Sequence, residues 1–197
     1  MKVCIVAEGC YPYVVGGVSG WINSMIKSFP NIEFILLTIV ANRSVRGKFV
    51  YELPENLTQV YELYLEDCEW EEGERERKVR KRFHLSKKER TELTNLVMNR
   101  KIEWGVIFDL FQRKGVSVDD LLMGPDFFQI VRECYKRQYA NIVFSDFLWT
   151  MRSIYLPLFW TLKMKVPQAD LYHCVATGYA GAVSYTHLRA HETLSDL

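Results

Sequence analysis

The first forty residues contain two apolar segments separated by a glycine turn and an amphipathic segment, and this order permits few folds. Residues 2–7 and 32–40 are continuous apolar runs rich in β-branched residues, as in strands buried on both faces of a parallel sheet. Between them, apolar residues recur every three or four positions from Val18 to Phe29, which predicts a helix with Ser19 as its cap. A strand, a helix and a second strand form a βαβ unit, so we expect an α/β fold with a parallel sheet.

A helical region separates these early strands from a late one. Short strands are predicted at residues 49–53 and 60–65, and the late strand at residues 169–176. Helices are predicted between them at residues 86–99, 105–113, 117–123, 124–139 and 142–164, with a kink at Pro157 in the last. We therefore expect one domain, residues 1–182, that carries a large helical insertion at about residues 66–165.

Composition excludes several classes of protein. A net charge of +1 gives no reason to expect a nucleic-acid partner. The five cysteines are scattered and show no C-x-x-C spacing, which excludes a zinc ribbon and fits reduced, buried thiols in the cytosol. The run of alternating charge at residues 66–88 is interpreted as a solvated loop or exposed helical face, with a docking site as the alternative.

Neither apolar stretch of the chain has the pattern of a membrane or secretion signal. The N-terminal run is ended by Glu8 before any signal-peptide cleavage site. The stretch at residues 142–164 contains Asp146, Arg152 and Lys163, and burying those charges in lipid would cost several kcal/mol. We expect a cytoplasmic protein, with peripheral association at the inner membrane left open.

The C-terminal tail does not continue the preceding pattern. Residues 183–193 resemble the conceptual translation of a sequencing-library adapter, and residues 194–197 would then be further read-through. The alternative is a natural helix in which His187 and His191 stand at the spacing of a metal pair. We interpret residues 183–197 as a non-native tail, and assign no metal ligand to it.

Two turns at the predicted carboxyl ends of strands are candidate binding sites, because ligands of open parallel sheets bind there. In the first, Gly16 and Gly17 allow close approach of a ligand, and the helix beginning near Val18 offers N–H groups to a phosphate. A tight turn without a ligand is the alternative. No nucleophile or metal motif is present outside the tail, and Asp119 and Asp120 are explained by a helix start.

The second turn follows the late strand. His173 lies inside that strand, where a structural core histidine is the alternative to a functional one. Thr177, Gly178 and Tyr179 combine a hydroxyl, a glycine and an aromatic ring, which fits a sugar or phosphate pocket. On a predicted helix, Arg152 is three residues from Trp149 and could reach a ligand, with core packing and a surface charge as the default.

Three segments in the same order resemble the PelF-type glycosyltransferases. They are EGCYPYVVGGVSGW at residues 8–21, FLWTMRS with LPL at residues 147–158, and ADLYH through TGYAG at residues 169–181. The resemblance runs from Met1 to about Ala182 and implies the retaining GT-B group that includes glycogen and sucrose synthases. It implies that this chain is the N-terminal, Rossmann-like, acceptor-side half of the GT-B fold, with the C-terminal nucleotide-sugar domain missing.

The resemblance also implies chemistry and partners. The expected reaction is metal-independent transfer of glucose from UDP-glucose to a growing exopolysaccharide, without a further cofactor. The expected partners are the nucleotide sugar, the polysaccharide acceptor and an inner-membrane polysaccharide synthesis or export complex. Gly16, Gly17 and Val18 match the turn beside the donor phosphates, while Asp170 and His173 match a D-x-x-H element at the cleft floor.

The sequence departs from the wider group in two ways. The position two residues after His173, often a second histidine, is Val175, and the donor-domain glutamates and basic residues that hold the diphosphate are not in this chain. Much of the electrostatic catalysis would come from those groups, so we expect this fragment to be inactive alone. The alternative function is a stand-alone sugar- or nucleotide-binding α/β module with a regulatory or scaffolding role.

Overall fold

The computed structural model describes residues 1–68 and 84–183. The chain divides into two compact units, one formed by Met1–Cys68 together with Met164–Leu197 and the other by Glu69–Lys163. Most of the charged run, residues 69–83, and the tail from residue 184 onwards, including His187 and His191, lie outside the described residues. The interpretations of those two segments stay predictions.

The first unit is built on a parallel four-stranded sheet. Its strands are β1 (Lys2–Glu8), β2 (Glu33–Val40), β3 (Leu57–Tyr64) and β4 (Leu171–Cys174), in the order β3-β2-β1-β4. The two central strands are buried along almost their whole length, as their continuous apolar sequences predict. The expected α/β, Rossmann-like fold with a helical insertion is confirmed.

Helix α1 (Gly17–Ser28) covers one face of the sheet. Ile22 and Ile26 are fully buried in a cluster with the β1 side chains Val3, Ile5 and Ala7. Burial of each isoleucine stabilises the fold by about 1.5–3 kcal/mol relative to exposure. The alternate β1 residues, Cys4 and Val6, face the opposite side of the sheet in a second cluster that includes Ala180 and Val183.

Two details of the first unit differ from the sequence-based expectation. The N-cap of α1 is Gly16 without a side-chain cap, and Ser19 lies buried inside the first turn, so its predicted capping role is wrong. Residues 49–53 form no strand. Their apolar side chains instead pack beside the glycine turn, with the Phe49 ring centroid 5.6 Å from Tyr13 and the Tyr51 centroid 5.3 Å from Tyr11.

The second unit is helical. Its first helices are α2 (Lys87–Val97) and α3 (Trp104–Phe108), and α3 continues as a π-helical segment, Asp109–Arg113. The next helices are α4 (Val118–Leu122) and α5 (Pro125–Cys134), and α5 continues as a second π-helical segment, Tyr135–Tyr139. The last helix is α6 (Phe144–Lys163). Ser86 and Glu89 form the predicted capping box at the start of α2. Ser117 caps α4 by accepting a bond from the Asp120 N–H at 3.5 Å. The predicted helices of the insertion are therefore confirmed.

An aromatic core holds this unit together. Phe111, Phe127 and Phe159 are fully buried, with the Phe159 ring centroid 5.0 Å from Phe111 and 5.9 Å from Phe127. Pro157 lies inside α6, where the Thr161 hydroxyl donates to its carbonyl at 2.8 Å. Within residues 1–68 and 84–183, no helix is both long and apolar enough to cross a bilayer.

Candidate functional site

The strand order creates a topological switch point between β1 and β4. The chain leaves β1 through α1 towards β2, whereas β4 is added on the other side of β1. Both strands run in the same direction, so the turns that follow Glu8 and Cys174 emerge at one edge of the sheet. Open α/β sheets bind ligands outside the carboxyl ends of their strands at such a point.

Buried contacts anchor the start of the first turn, residues 9–16. The fully buried Tyr11 donates its hydroxyl to Asn23 Oδ1 at 3.3 Å, and its carbonyl accepts from the Thr38 hydroxyl at 3.3 Å. The Gly9 N–H donates to the Ile39 carbonyl at 2.9 Å with Gly9 at a φ of +62°, which favours glycine. Burial raises the pKa of Tyr11 to about 12, so its hydroxyl remains a donor at physiological pH.

The same turn is attached to β3 and to the loop that precedes it. Tyr13 donates its hydroxyl to the Glu62 carboxylate, which also accepts from the Gly47 N–H at 3.3 Å. Burial raises the pKa of Tyr13, and its bond to Glu62 raises it further. The Val50 N–H donates to the Pro12 carbonyl at 3.0 Å. These bonds attach the turn to β3 and to the loop that precedes it.

Beyond these anchors the turn opens to solvent at the N-terminus of α1. Val15 is 76% exposed, and a Cβ added at Gly16 or Gly17 would meet no atom within 4 Å. Among the described residues no side chain caps this terminus, and the first turn contains no acidic residue. The first-turn N–H groups and the positive end of the helix dipole are therefore available to an anion. Gly16, Gly17 and Val18 form this terminus, and their role in binding stays a prediction.

His173 stands beside α1. It pairs in register with Ile5, and therefore faces the side of the sheet that α1 covers. Its ring centroid is 5.6 Å from that of Trp21, which is 50% exposed and lies one helical turn after Gly17. His173 is itself only partly buried. The histidine is thus a partly buried group beside an indole, and both its structural and its functional interpretation stay predictions.

A carboxylate closes the second turn. Glu8, the last residue of β1, accepts a hydrogen bond from the Ala180 N–H at 3.3 Å, where residues 179–183 begin a helical segment. A Cβ at Gly178 would lie 2.7 Å from one Glu8 oxygen and 3.0 Å from the other, so only glycine fits without displacing this carboxylate. Thr177 and Gly178 are exposed at the edge, while Tyr179 packs against the cluster containing Ala180.

Two predicted site residues lie elsewhere. Asp170 stands at the amino end of β4, where it accepts from the Lys2 N–H at 2.7 Å and donates its own N–H to the Lys2 carbonyl at 2.9 Å. It therefore ties β4 to β1 at the edge opposite to the glycine turn. Arg152 belongs to the second unit, where its guanidinium carbon lies 5.4 Å from the centroid of Trp149 and one nitrogen 2.9 Å from Met123 Sδ.

Sequence reasoning missed Glu8 and Trp21 as site residues. Glu8 looked like the end of an apolar run, and Trp21 like one member of the buried stripe of α1. The one available signal was position: Glu8 is the last residue of a strand, and Trp21 follows the paired glycines by one helical turn. Within the described part of the chain, no group of three or more His, Cys, Asp or Glu side chains could hold a metal ion.

A family profile described as "Domain of unknown function (DUF3492)" matches residues 1–193, a range that contains every strand of the sheet and the whole helical insertion. No curated protein and no solved structure matches the chain significantly.

Proposed function

The chain belongs to the DUF3492 family, and from that premise we propose that it is the acceptor-side domain of a retaining GT-B glycosyltransferase of the PelF type. DUF3492 domains are typically found in GT4-like glycosyltransferases. The proposed reaction is transfer of glucose from UDP-glucose to a growing exopolysaccharide at the cytoplasmic side of an inner-membrane synthesis complex. The reaction needs no metal in this proposal.

One observation carries the proposal: α1 begins at the switch point with an open, uncapped N-terminus. The departing group in glycosyl transfer from a nucleotide sugar is a diphosphate, whose negative charge grows as the glycosidic bond breaks. N–H groups at Gly17 and Val18 can donate to its oxygens, and the helix dipole favours that charge. The open space at Gly16 and Gly17 lets a phosphate approach the backbone.

The groups around this terminus suit a sugar. The half-exposed indole of Trp21 offers an apolar face to a pyranose ring, and His173 beneath it can exchange a hydrogen bond with a sugar hydroxyl. Thr177, exposed in the neighbouring turn, adds a hydroxyl at the same edge. In this proposal His173 is the catalytic residue that this domain contributes.

The domain supplies one wall of the proposed cleft. Transition-state charge is stabilised by groups placed around it, and the glutamates and cations expected from a nucleotide-sugar domain are not among these 197 residues. We therefore expect neither glucosyl transfer nor UDP-glucose hydrolysis from the 197-residue chain. Activity is expected from the protein encoded by the intact gene, read through the codon for Ala182.

The test is glucosyl transfer from labelled UDP-glucose by that longer protein and its Gly17→Ala variant. The added methyl group meets no protein atom, so the fold is retained, but it obstructs the N–H groups that would hold the diphosphate. Loss of charge-assisted hydrogen bonds worth about 1.5–3 kcal/mol predicts a decrease of at least about tenfold in kcat/KM.

Gly20→Ala is the matched control. A Cβ at Gly20 also meets open space, but its N–H already donates to the Gly16 carbonyl at 2.8 Å and cannot serve a ligand. Equal activity of the two variants would remove α1 from the mechanism. Tight binding of a sugar nucleotide without any transfer by the longer protein would favour the binding-module alternative.

A further inference from the structure

The α5–α6 region forms a helical hairpin whose tip is apolar. Ring contacts pair the two helices in antiparallel order, with Phe127 beside Phe159 and Tyr135 beside Phe144. The connection, residues 140–143, therefore lies at one end of the hairpin. We call this end the hairpin tip and define it as residues 139–143.

The hairpin tip is exposed although the structure around it is fixed. Ile142 is 42% and Val143 63% exposed. The Tyr135 hydroxyl donates to the Ile142 carbonyl at 2.7 Å, the Ile142 N–H donates to the Tyr139 carbonyl at 3.1 Å, and Tyr139 stacks on Phe147 at 4.9 Å. Two apolar side chains are thus held outward by ordered hydrogen bonds and ring stacking.

The apolar surface continues from the tip along an aromatic row. Phe144 lies 5.0 Å from Tyr135 and 6.0 Å from Phe128, whose ring is also exposed. Aromatic rings with one wet edge are typical of side chains at a membrane–water interface. Phe128 is 40% exposed and Phe144 is partly buried, so the row adds to the apolar surface of the tip.

Positive charge accompanies this surface. Lys136 and Arg137 are exposed in the π-helical segment Tyr135–Tyr139 that leads into the tip, and Arg132 is exposed one helical turn earlier. Glu133 and Asp146 are the acidic residues beside them in the sequence, so the cations outnumber the anions by three to two. Within residues 1–68 and 84–183, none of these three cations forms a salt bridge with a carboxylate.

We propose that the hairpin tip and its aromatic row are a docking surface for an anionic phospholipid bilayer. Ile142 and Val143 would enter the headgroup–acyl boundary while Lys136 and Arg137 contact lipid phosphates. A projecting tip suits a flat, deformable surface, and apolar burial with electrostatic attraction is how interfacial segments bind. This surface belongs to the second unit, and the proposal does not depend on the proposed transferase activity.

Vesicle co-sedimentation of the 197-residue chain tests the proposal. We expect binding to phosphatidylcholine vesicles that contain phosphatidylglycerol, weaker binding as salt is raised, and little binding to phosphatidylcholine alone. An Ile142→Ser/Val143→Ser variant and a Lys136→Gln/Arg137→Gln variant should each lose about tenfold or more in the partition coefficient. Circular dichroism checks that these exposed substitutions leave the fold intact.

Ile154→Ser is the matched control. Ile154 is 48% exposed on α6, far along the helix from the tip, so the substitution removes a similar apolar area without affecting vesicle binding. Absent binding to the anionic vesicles, or binding that all variants retain, would overturn the proposal. It would also be overturned by self-association that the Ile142→Ser/Val143→Ser variant abolishes in sedimentation velocity, because a second copy would then be the occupant.

Discussion

The turns after β1 and β4 lie at the same edge of one sheet, yet the helices that follow them differ in whether a side chain binds their N-terminal N–H groups. After β1, α1 begins without a side-chain cap or an acidic residue in its first turn. After β4, the helical segment at residues 179–183 begins against the carboxylate of Glu8, which accepts from the Ala180 N–H. One N-terminus is open and the other is occupied from within the protein.

This difference decides where an anion can bind. A carboxylate at a helix N-terminus satisfies the same N–H groups and the same dipole that would attract a phosphate. The Glu8 side chain therefore disfavours phosphate at the second turn and leaves α1 as the place for it. Glu8 also links the two turns, since it ends β1 and contacts the turn that follows β4.

We call the turn after β1 the open turn and the turn after β4 the closed turn. The largest effect is expected from removing Tyr11, which anchors the open turn. Tyr11→Ala deletes a fully buried ring that lies between the turn and the core, and should lower the free energy of unfolding by about 3–5 kcal/mol. Urea denaturation followed by circular dichroism measures this. A loss below about 1 kcal/mol would mean that the turn holds itself without its anchor.

Tyr11→Phe is the companion variant. It keeps the ring and deletes only the hydroxyl bonded to Asn23, so the loss should not exceed about 1.5 kcal/mol. If both substitutions cost the same, the hydrogen bond rather than the packing would be what fixes the open turn.

The next effect concerns the closed turn. In Gly178→Ala the new methyl group would displace the Glu8 carboxylate and break its bond to the Ala180 N–H, which should cost about 1–2 kcal/mol. Thermal or urea unfolding measures the change. The Glu8→Ala/Gly178→Ala double variant should lose less stability than the sum of the losses in the two single variants, because both substitutions remove the same contact.

Gly181→Ala is the control for that prediction. A Cβ there would meet only the Ala176 carbonyl at 3.5 Å, an ordinary contact, and alanine favours a helix over glycine by up to about 1 kcal/mol. The variant should be as stable as the parent or more so. Equal destabilisation by both substitutions would show that the turn tolerates no side chain for reasons unrelated to Glu8.

The fold was accessible from sequence where one local rule acted alone. Continuous apolar runs predicted β1 and β2, and the Ser86–Glu89 capping box predicted the start of α2, because both signals depend on near neighbours. The prediction failed at residues 49–53, a short segment rich in apolar and aromatic residues that resembles a strand. Their partners are Tyr11 and Tyr13 in a distant turn, and contact with that turn replaced sheet pairing.

The candidate site was predicted in part for a similar reason. Paired glycines before a helix identify an open terminus locally, so Gly16 and Gly17 were found. The family resemblance groups Asp170 with His173 in one D-x-x-H element, but the two lie towards opposite ends of β4, and Asp170 tethers the amino end of β1. Glu8 could not be found, because its role depends on β4 returning beside β1, which gives a contact between residues 172 positions apart.

The smallest effect is a pH dependence at the turn after β1. Burial raises the pKa of Glu62, but hydrogen bonds from Tyr13, Tyr64 and the Gly47 N–H outweigh it, and the pKa is lowered overall. A lowered folded-state pKa stabilises the protein above the unfolded value of about 4.3, and this stabilisation is lost as the pH falls through the folded-state pKa. The anchor of the open turn should therefore weaken below about pH 4.

The effect should stay below about 1 kcal/mol, because Glu62 is partly solvated. Urea midpoints at neutral and acid pH, compared between the parent and Glu62→Gln, measure it. The amide cannot titrate, so the variant should lose less stability on acidification than the parent, while Glu52→Gln at an exposed position should follow the parent. If Glu62→Gln and the parent lose equal stability, the acid sensitivity resides in other carboxylates, such as that of Glu89 beside Lys114. The pKa of Glu89 is also lowered overall, because its hydrogen bonds outweigh the effect of its burial. The ionisation of Glu62 would then contribute nothing measurable to the stability of the open turn, and Tyr11 and the backbone bonds at Gly9 and Pro12 would be its anchors.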